Sequence, residues 1–516
     1  MKRTRLAIAS LACALLFGPA WLMGSGCGER YSSSVTVDFQ SNQRVVPPFL
    51  FGQNLQTIEN GEQVIAADGG LDDEIVAMLT EARITTLRFP GGTQADHFIW
   101  WQAVGPPSRR ALQGSGNLDE LYKPVIGPEE FIDLAKALRA VPFITANTGS
   151  GSAALAGAWA HYFKSVGFPA VFWEIGNEPY FDGINAAGVV GLTPDAYAAK
   201  VIEYATAIRA EVPNAQIFVA GLIGPADDQS YWNAIVLGLA GPYIDGMSLH
   251  NAYAPLYGYT PGPNPVVPRD DELYLAMMGA TKSFERSLGV VRDELARNGR
   301  TVPIFITEYD GVFFPDKAIE DPVKTVARNS TLDCALYNAS ILQVMMRNDR
   351  VFGAHHMSLA GSGRGSLVGV EGGVRFRNPH FYVHQEYAKE ADHIVVKTAL
   401  DPETAVFNSI AVRETPAQTA VPMLDVVATR DPAGKQFALF VVNRHLFISV
   451  DTTLTTNLPA GATGTRTQLT GPNHDSRNDA ANPNLVVPQT TSWNGDASFS
   501  AQFPPHSLTI YRWTLP

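Results

Sequence analysis

The chain reads as an α/β protein: a (β/α)8 TIM barrel followed by a C-terminal antiparallel β-sandwich. Three observations predict this. Eight apolar stretches, each ending in a polar or glycine-rich turn, alternate with helical stretches between residues 49 and 390. From about residue 390 the texture changes to short alternating strands parted by Gly, Pro, Asn and Asp. No GxGxxG turn follows the first strand, which disfavours the open doubly wound sheet that also alternates strand and helix. With 516 residues, 46% of them hydrophobic and 17% charged, the chain exceeds one ordinary core and has a globular composition.

The first 27 residues are set apart from the fold. "MKRTR" is a basic start, an apolar stretch broken at Gly18-Pro19 follows, and small residues precede Cys27, which is the pattern of an export signal. The end of this stretch resembles a bacterial lipoprotein box, with Gly24 where such boxes carry Leu. Lipidation of Cys27 and plain cleavage are both open, so the expected location is the cell envelope or the outside of a bacterium. Cysteine usage agrees. Cys13 and Cys27 belong to the signal, and Cys334 sits in the apolar helical pattern "TLDCALYNASIL", so no disulfide framework or zinc spacing is offered.

Residues 28–45 hold "SSSVTVDFQ", an alternating strand expected to pair with the sandwich because chain termini commonly meet. Residues 46–390 form the barrel. Its strands are read at "FLFGQN" (49–54), "TTLRFPGG" (85–92), "PFITANTG" (142–149), "VFWEIGNEP" (171–179), "QIFVAGLIG" (216–224), "GMSLHNAY" (246–253), "PIFITEYDG" (303–311) and "VFGAHHMSL" (351–359). Helices are read between them, with Pro128 and Pro194 near helix starts, where a missing N–H is harmless. Residues 391–516 form the sandwich, with strands such as "KQFALFVVNRH" and "SLTIYRWTLP".

Net charge is −12 and no basic cluster occurs, which excludes nucleic acid as an expected partner. Aromatic residues make up 10% of the chain, suiting either a sugar-stacking site or a large core.

The chemistry is sought at the carboxyl ends of the strands, where barrel enzymes keep it. Strand four ends in Asn177-Glu178-Pro179 and strand seven carries Glu308 after a clean apolar run. A lone Glu at a strand end is more often salt-bridged or capping. Two of them on strands four and seven point to a glycosidase pair, which in a retaining enzyme stands about 5–5.5 Å apart. Asn177 either caps its turn or bonds a sugar hydroxyl. Arg88 is either a structural ion-pair partner or the cation that keeps Glu308 ionised. His250 is either a satisfied core histidine or a partner of the acid or the sugar. Tyr253 and Tyr309 stack, donate to Glu308 or pack. Of the two Trp in "HFIWW", one is expected in the wall and one in the core, and Trp100 is taken for the wall. For His355-His356 no partner carboxylate lies at ligand spacing, so one is read as lining and the other as core, and neither metal nor cofactor is expected.

These residues carry a family resemblance. "GNEP" on strand four with "ITEYD" on strand seven resembles the retaining glycoside hydrolases of clan A. "LRFPGGTQADHFIWWQAVGPPSRR", "ANTGSGSAALAGAWAHYF", "DCALYNASILQVMMRND" and "FVVNRH" extend the likeness to family 51, the α-L-arabinofuranosidases. The resemblance implies Glu178 as acid/base, Glu308 as nucleophile and Asn177 as the 2-hydroxyl contact. It departs at "EPYFDG", at Tyr309 where the family has Trp, at Thr93 in "PGGT", and at Gln56 where the family has a sugar-binding Glu. These departures line the sugar subsite. The expectation is therefore an exo-acting retaining glycosidase releasing arabinofuranosyl groups from polysaccharide or oligosaccharide. The alternatives are a β-xylosidase, β-glucuronidase or endoglucanase of the same clan, or a catalytically inactive carbohydrate-binding protein.

Overall fold

The computed structural model describes residues 31–515 apart from 58–61, 115–120, 182–190, 224–229, 251, 257–266, 314–326, 362–364, 460 and 494–496. The signal stretch and Cys27 lie outside the described residues.

The eight barrel strands run Gly52–Asn54, Thr86–Phe89, Val141–Ala146, Phe172–Ile175, Gln216–Gly221, Gly246–Leu249, Ile304–Phe313 and Val351–His356. Each pairs in parallel with its neighbour in chain order. The eighth closes on the first through His355↔Gly52 and His356↔Gln53. Strand six resumes beyond residue 251 as Ala252–Leu256, still parallel to strand seven. Burial on both faces is why these strands read as near-continuous apolar runs.

The barrel is filled in layers. Phe143, Phe172, Phe218 and Phe305 pack together at its base, with ring centroids 4.8 to 6.1 Å apart. Strand glycines make room for them: a Cβ on Gly353 would come within 1.9 Å of the Phe305 ring, and one on Gly246 within 2.1 Å of Phe218. Above this floor the His355 ring stacks on Phe305 at 5.4 Å, and its Nε2 meets the Thr86 hydroxyl at 3.0 Å. Charged groups begin one layer higher.

The outer helices start where the sequence signals them. Asp72 caps Asp73–Ala82 by accepting the Ile75 N–H, and Pro128 and Pro194 open Pro128–Leu138 and Pro194–Glu211. Leu332–Arg347, the helix before strand eight, has all but its last residue buried, and Cys334 is among those without exposed surface. It is covered by the second sheet: Arg347 donates to Asp425 Oδ1 at 3.0 Å and to the Val426 carbonyl. From Pro379–Ala388, Tyr387 stacks on Phe440 at 4.4 Å.

That second sheet runs to ten strands, antiparallel but for one pairing. Tyr31–Asp38 is antiparallel to Ile394–Leu400 and parallel to Val450–Thr456. Phe39 lies against Phe437 and Trp513, and Trp493 against Phe499.

Candidate active site

Arg88 on strand two has no exposed surface. Its Nε donates to Glu174 Oε2 at 2.7 Å, and Nη1 donates to Glu308 Oε1 at 2.8 Å and Asn54 Oδ1 at 2.9 Å. Nη2 donates to Asn177 Oδ1 at 2.8 Å. One guanidinium thus ties strands one, four and seven together. Glu174 is equally buried and also accepts from the Thr145 and Thr307 hydroxyls at 2.9 and 3.1 Å. A buried ion pair is tolerable when its remaining polar atoms are satisfied in this way. Glu174 was missed in the sequence reading. The signal was present, because a carboxylate in the middle of "FWEI" on a doubly buried strand must have a cationic partner.

The turn after strand four is built to present Glu178. Gly176 has φ +76°, and a Cβ there would come within 2.2 Å of the Thr148 hydroxyl. The Asn177 N–H donates to Asp96 Oδ2 at 3.3 Å, while Asp96 Oδ1 accepts the Thr148 N–H and hydroxyl. Burial lifts the Asp96 carboxyl to about 7 against those hydrogen bonds. Glu178 itself sits at φ +47°, a left-handed conformation costing on the order of 1 kcal/mol or more for a residue with a Cβ. Its Oε1 lies 3.1 Å from His250 Nδ1.

Glu308 approaches the same nitrogen from strand seven, with Oε2 at 3.8 Å. That oxygen also accepts the Tyr253 hydroxyl, which lies 3.3 Å from Met357 Sδ. The Glu174 side chain is wholly buried, whereas Glu308 is 7% and Glu178 16% exposed, so the last two are the carboxylates a ligand can reach.

Charge sorts the acids further. Burial would discharge His250, but Glu308 and its contacts with Glu174 and Glu178 raise it to about 10, so it is a cation at neutral pH. Burial would likewise protonate Glu308. The His250 and Arg88 charges, with hydrogen bonds from Tyr253 and Arg88, reverse this and hold it below the usual carboxylate range. Glu174 is held well below that range, against burial, chiefly by Arg88 and by His250. Burial and the charges of Glu308 and Glu178 keep Tyr253 a phenol.

Arg88 fills both roles the sequence offered, as the ion-pair partner of Glu174 and as a cation beside Glu308, and its buried guanidinium leaves no surface for a sugar. For other residues singled out in the sequence, several readings need correction. Trp100 is the core residue of its pair: its Nε1 donates to the Leu155 carbonyl at 3.1 Å, and its ring lies parallel to Trp159. Trp101 is the one left 56% exposed. Tyr309 is buried with its ring 5.5 Å from His356, away from Glu308, because a register irregularity interrupts strand seven between Ile306 and Tyr309. Gln56 is buried beside Gly92. His356 does have a carboxylate partner, Asp310 Oδ1 at 3.3 Å, which chain spacing did not reveal.

The chain is similar to known proteins along most of its length. The family described as the α-L-arabinofuranosidase C-terminal domain matches residues 308–507. A probable α-L-arabinofuranosidase C of Aspergillus flavus is 23% identical over 491 residues, 87% of this chain and 89% of the relative. Among solved structures, an α-L-arabinofuranosidase from Thermotoga maritima in complex with arabinose superposes with a TM-score of 0.77 at 20% identity, covering 94% of this chain and all of that one. A family 51 α-L-arabinofuranosidase from Bifidobacterium longum gives 0.79 at 18% identity, with coverage of 94% and 99%.

Proposed function

We propose, for a chain that is a clan A glycoside hydrolase of the family 51 type, that Glu308 and Glu178 release α-L-arabinofuranosyl groups by exo-acting double displacement with retention. The observation that carries this is the meeting of both carboxylates at His250 Nδ1, at 3.1 and 3.8 Å.

The contacts support this division of roles. Arg88 ion-pairs with Glu174 and Glu308, which favours Glu308 as the ionised nucleophile, and Glu178, the more exposed of the two acids a ligand can reach, is taken as the acid/base. Glu308, held ionised, attacks the anomeric carbon as the glycosidic bond breaks, and Glu178 gives its proton to the leaving oxygen. In the second step Glu178 takes a proton from water, which displaces Glu308 from the sugar. Asn177 has its Oδ1 committed to Arg88, so its Nδ2 is the atom that donates to the sugar 2-hydroxyl.

The test is Glu178→Ala assayed on a nitrophenyl α-L-arabinofuranoside and on a natural arabinoside. The aryl substrate needs little protonation, so its first step survives better. A burst of phenol is expected, then slow turnover that azide rescues as a glycosyl azide of retained configuration. Equal slowing of both substrates with no rescue would overturn the acid/base assignment. A panel of aryl glycosides tests the sugar: preference for a β-xyloside or β-glucuronide would replace the arabinofuranosyl reading and leave the mechanism in place.

The signal stretch supports export, with a lipid on Cys27. Cys27→Ser is expected to release the enzyme from membranes with unchanged kinetic constants. Undiminished membrane retention would rule out the anchor.

A further inference from the structure

Behind strand seven, on the side away from the sugar-facing acids, lies a second cluster of ionisable groups. Asp310 comes from strand seven, His356 from the end of strand eight, and His380 from the first turn of Pro379–Ala388. None is more than 2% exposed. Each offers one ligand atom, and the three atoms lie within 4.8 Å of one another. We propose that Asp310, His356 and His380 bind one divalent cation of the zinc class, with water as the fourth ligand.

The first argument is unmet hydrogen bonding. Asp310 Oδ2 and both ring nitrogens of His380 have no partner although they are buried. Each such buried group is costly unless something occupies its lone pair or accepts its proton. His380 Nε2 stands 3.7 Å from Asp310 Oδ1, too far for a hydrogen bond. Two donors about 2.0–2.1 Å from a tetrahedral metal stand roughly 3.3–3.5 Å apart. The Asp310 distances to His356 and His380, 3.3 and 3.7 Å, approximate such edges.

The second argument is tautomer. His356 Nδ1 lies 3.2 Å from Gln53 Oε1, an acceptor, so the ring proton belongs on Nδ1. The Nε2 lone pair then points at Asp310 Oδ1, and two lone pairs at 3.3 Å require a cation or proton between them. A carbonyl behind one histidine ligand, and the Asn338 amide donating to Asp310 Oδ1 at 2.8 Å, are the supports that orient metal ligands. Two imidazoles with one carboxylate suit zinc over calcium or magnesium, which take oxygen ligands.

A proton shared by Asp310 and His356 is the competing account, and it leaves His380 unpartnered. A cation there joins strand seven, strand eight and an outer helix directly behind the sugar-facing acids, so its effect falls on stability.

The test is the zinc content of the purified full-length enzyme, by mass spectrometry after acid release, followed by zinc titration of the chelator-treated protein. About one zinc per chain is expected, and zinc should raise the Tm of the stripped protein by at least about 2 °C. His380→Ala should hold under a tenth of an equivalent and lose the Tm response. An exposed-histidine control, His161→Ala, should behave as wild type. If stripped wild type neither binds zinc nor gains stability, the proposal falls and the shared proton stands. Zinc lost in His161→Ala would equally overturn it, as surface binding.

Discussion

The floor and the mouth of the barrel are almost equally buried, yet they are held together by opposite means. The floor is four phenylalanines that need only volume and contact. The mouth, above the His355 layer, is Arg88, Glu174 and His250 with Glu308 and Glu178, where each charge is tolerated only because its partners are in place. An apolar layer degrades gradually when altered. A charged layer fails abruptly, because removing one partner strands another in a site without water.

The largest effect expected from this contrast is at Glu308. Glu308→Ala should lower kcat at least about 10⁴-fold on every substrate, since no glycosyl intermediate can form. Steady-state assays on aryl and natural glycosides check this, and residual activity within a hundredfold of wild type would return Glu308 to a structural role.

Next is Arg88. Arg88→Met should destabilise the fold by about 3–5 kcal/mol, read from urea unfolding, because Glu174 is left buried without its cation. In whatever fraction folds, the Glu308 carboxyl loses a cation that lowers its pKa. The acid limb of kcat/KM should therefore move to higher pH.

His250 provides a pH test of the same layer. Its folded value, about 10, lies above the unfolded value near 6.5, so its contribution is fully present below about pH 6.5 and is lost as pH rises toward 10. The slope is at most about 1.4 kcal/mol per pH unit. Unfolding midpoints measured from pH 6 to 10 should fall in wild type and stay flatter in His250→Gln.

The smallest effect is expected on the floor. Phe305→Leu keeps an apolar residue of near volume and should cost about 1.5 kcal/mol or less, with kcat per folded molecule unchanged. A drop in kcat there would show that the two layers are coupled.

Much of this was legible in the sequence. The alternation of apolar runs and helical stretches located all eight strands, and reading polar residues at strand ends located Glu178, Glu308 and His250. Glu174 was also legible, as a charge inside an apolar run, but went unread. Other features had no local signature. Trp100 and Trp101 are neighbours of identical chemistry, and only packing against Trp159 decides which is core.

The sequence by itself determined the layered α/β architecture, because strand and helix periodicities are local properties of the chain. It also determined which acids stand at strand ends. Tertiary structure alone decided what each acid touches. Asp310 and His356 are 46 residues apart, Arg88 and Glu308 are 220 apart, and Tyr309 turns away from Glu308 toward His356 at an irregularity in its strand. Those partnerships arise only when the sheet closes, since closure brings distant strand ends within hydrogen-bond range and removes the water that would otherwise have solvated their charges.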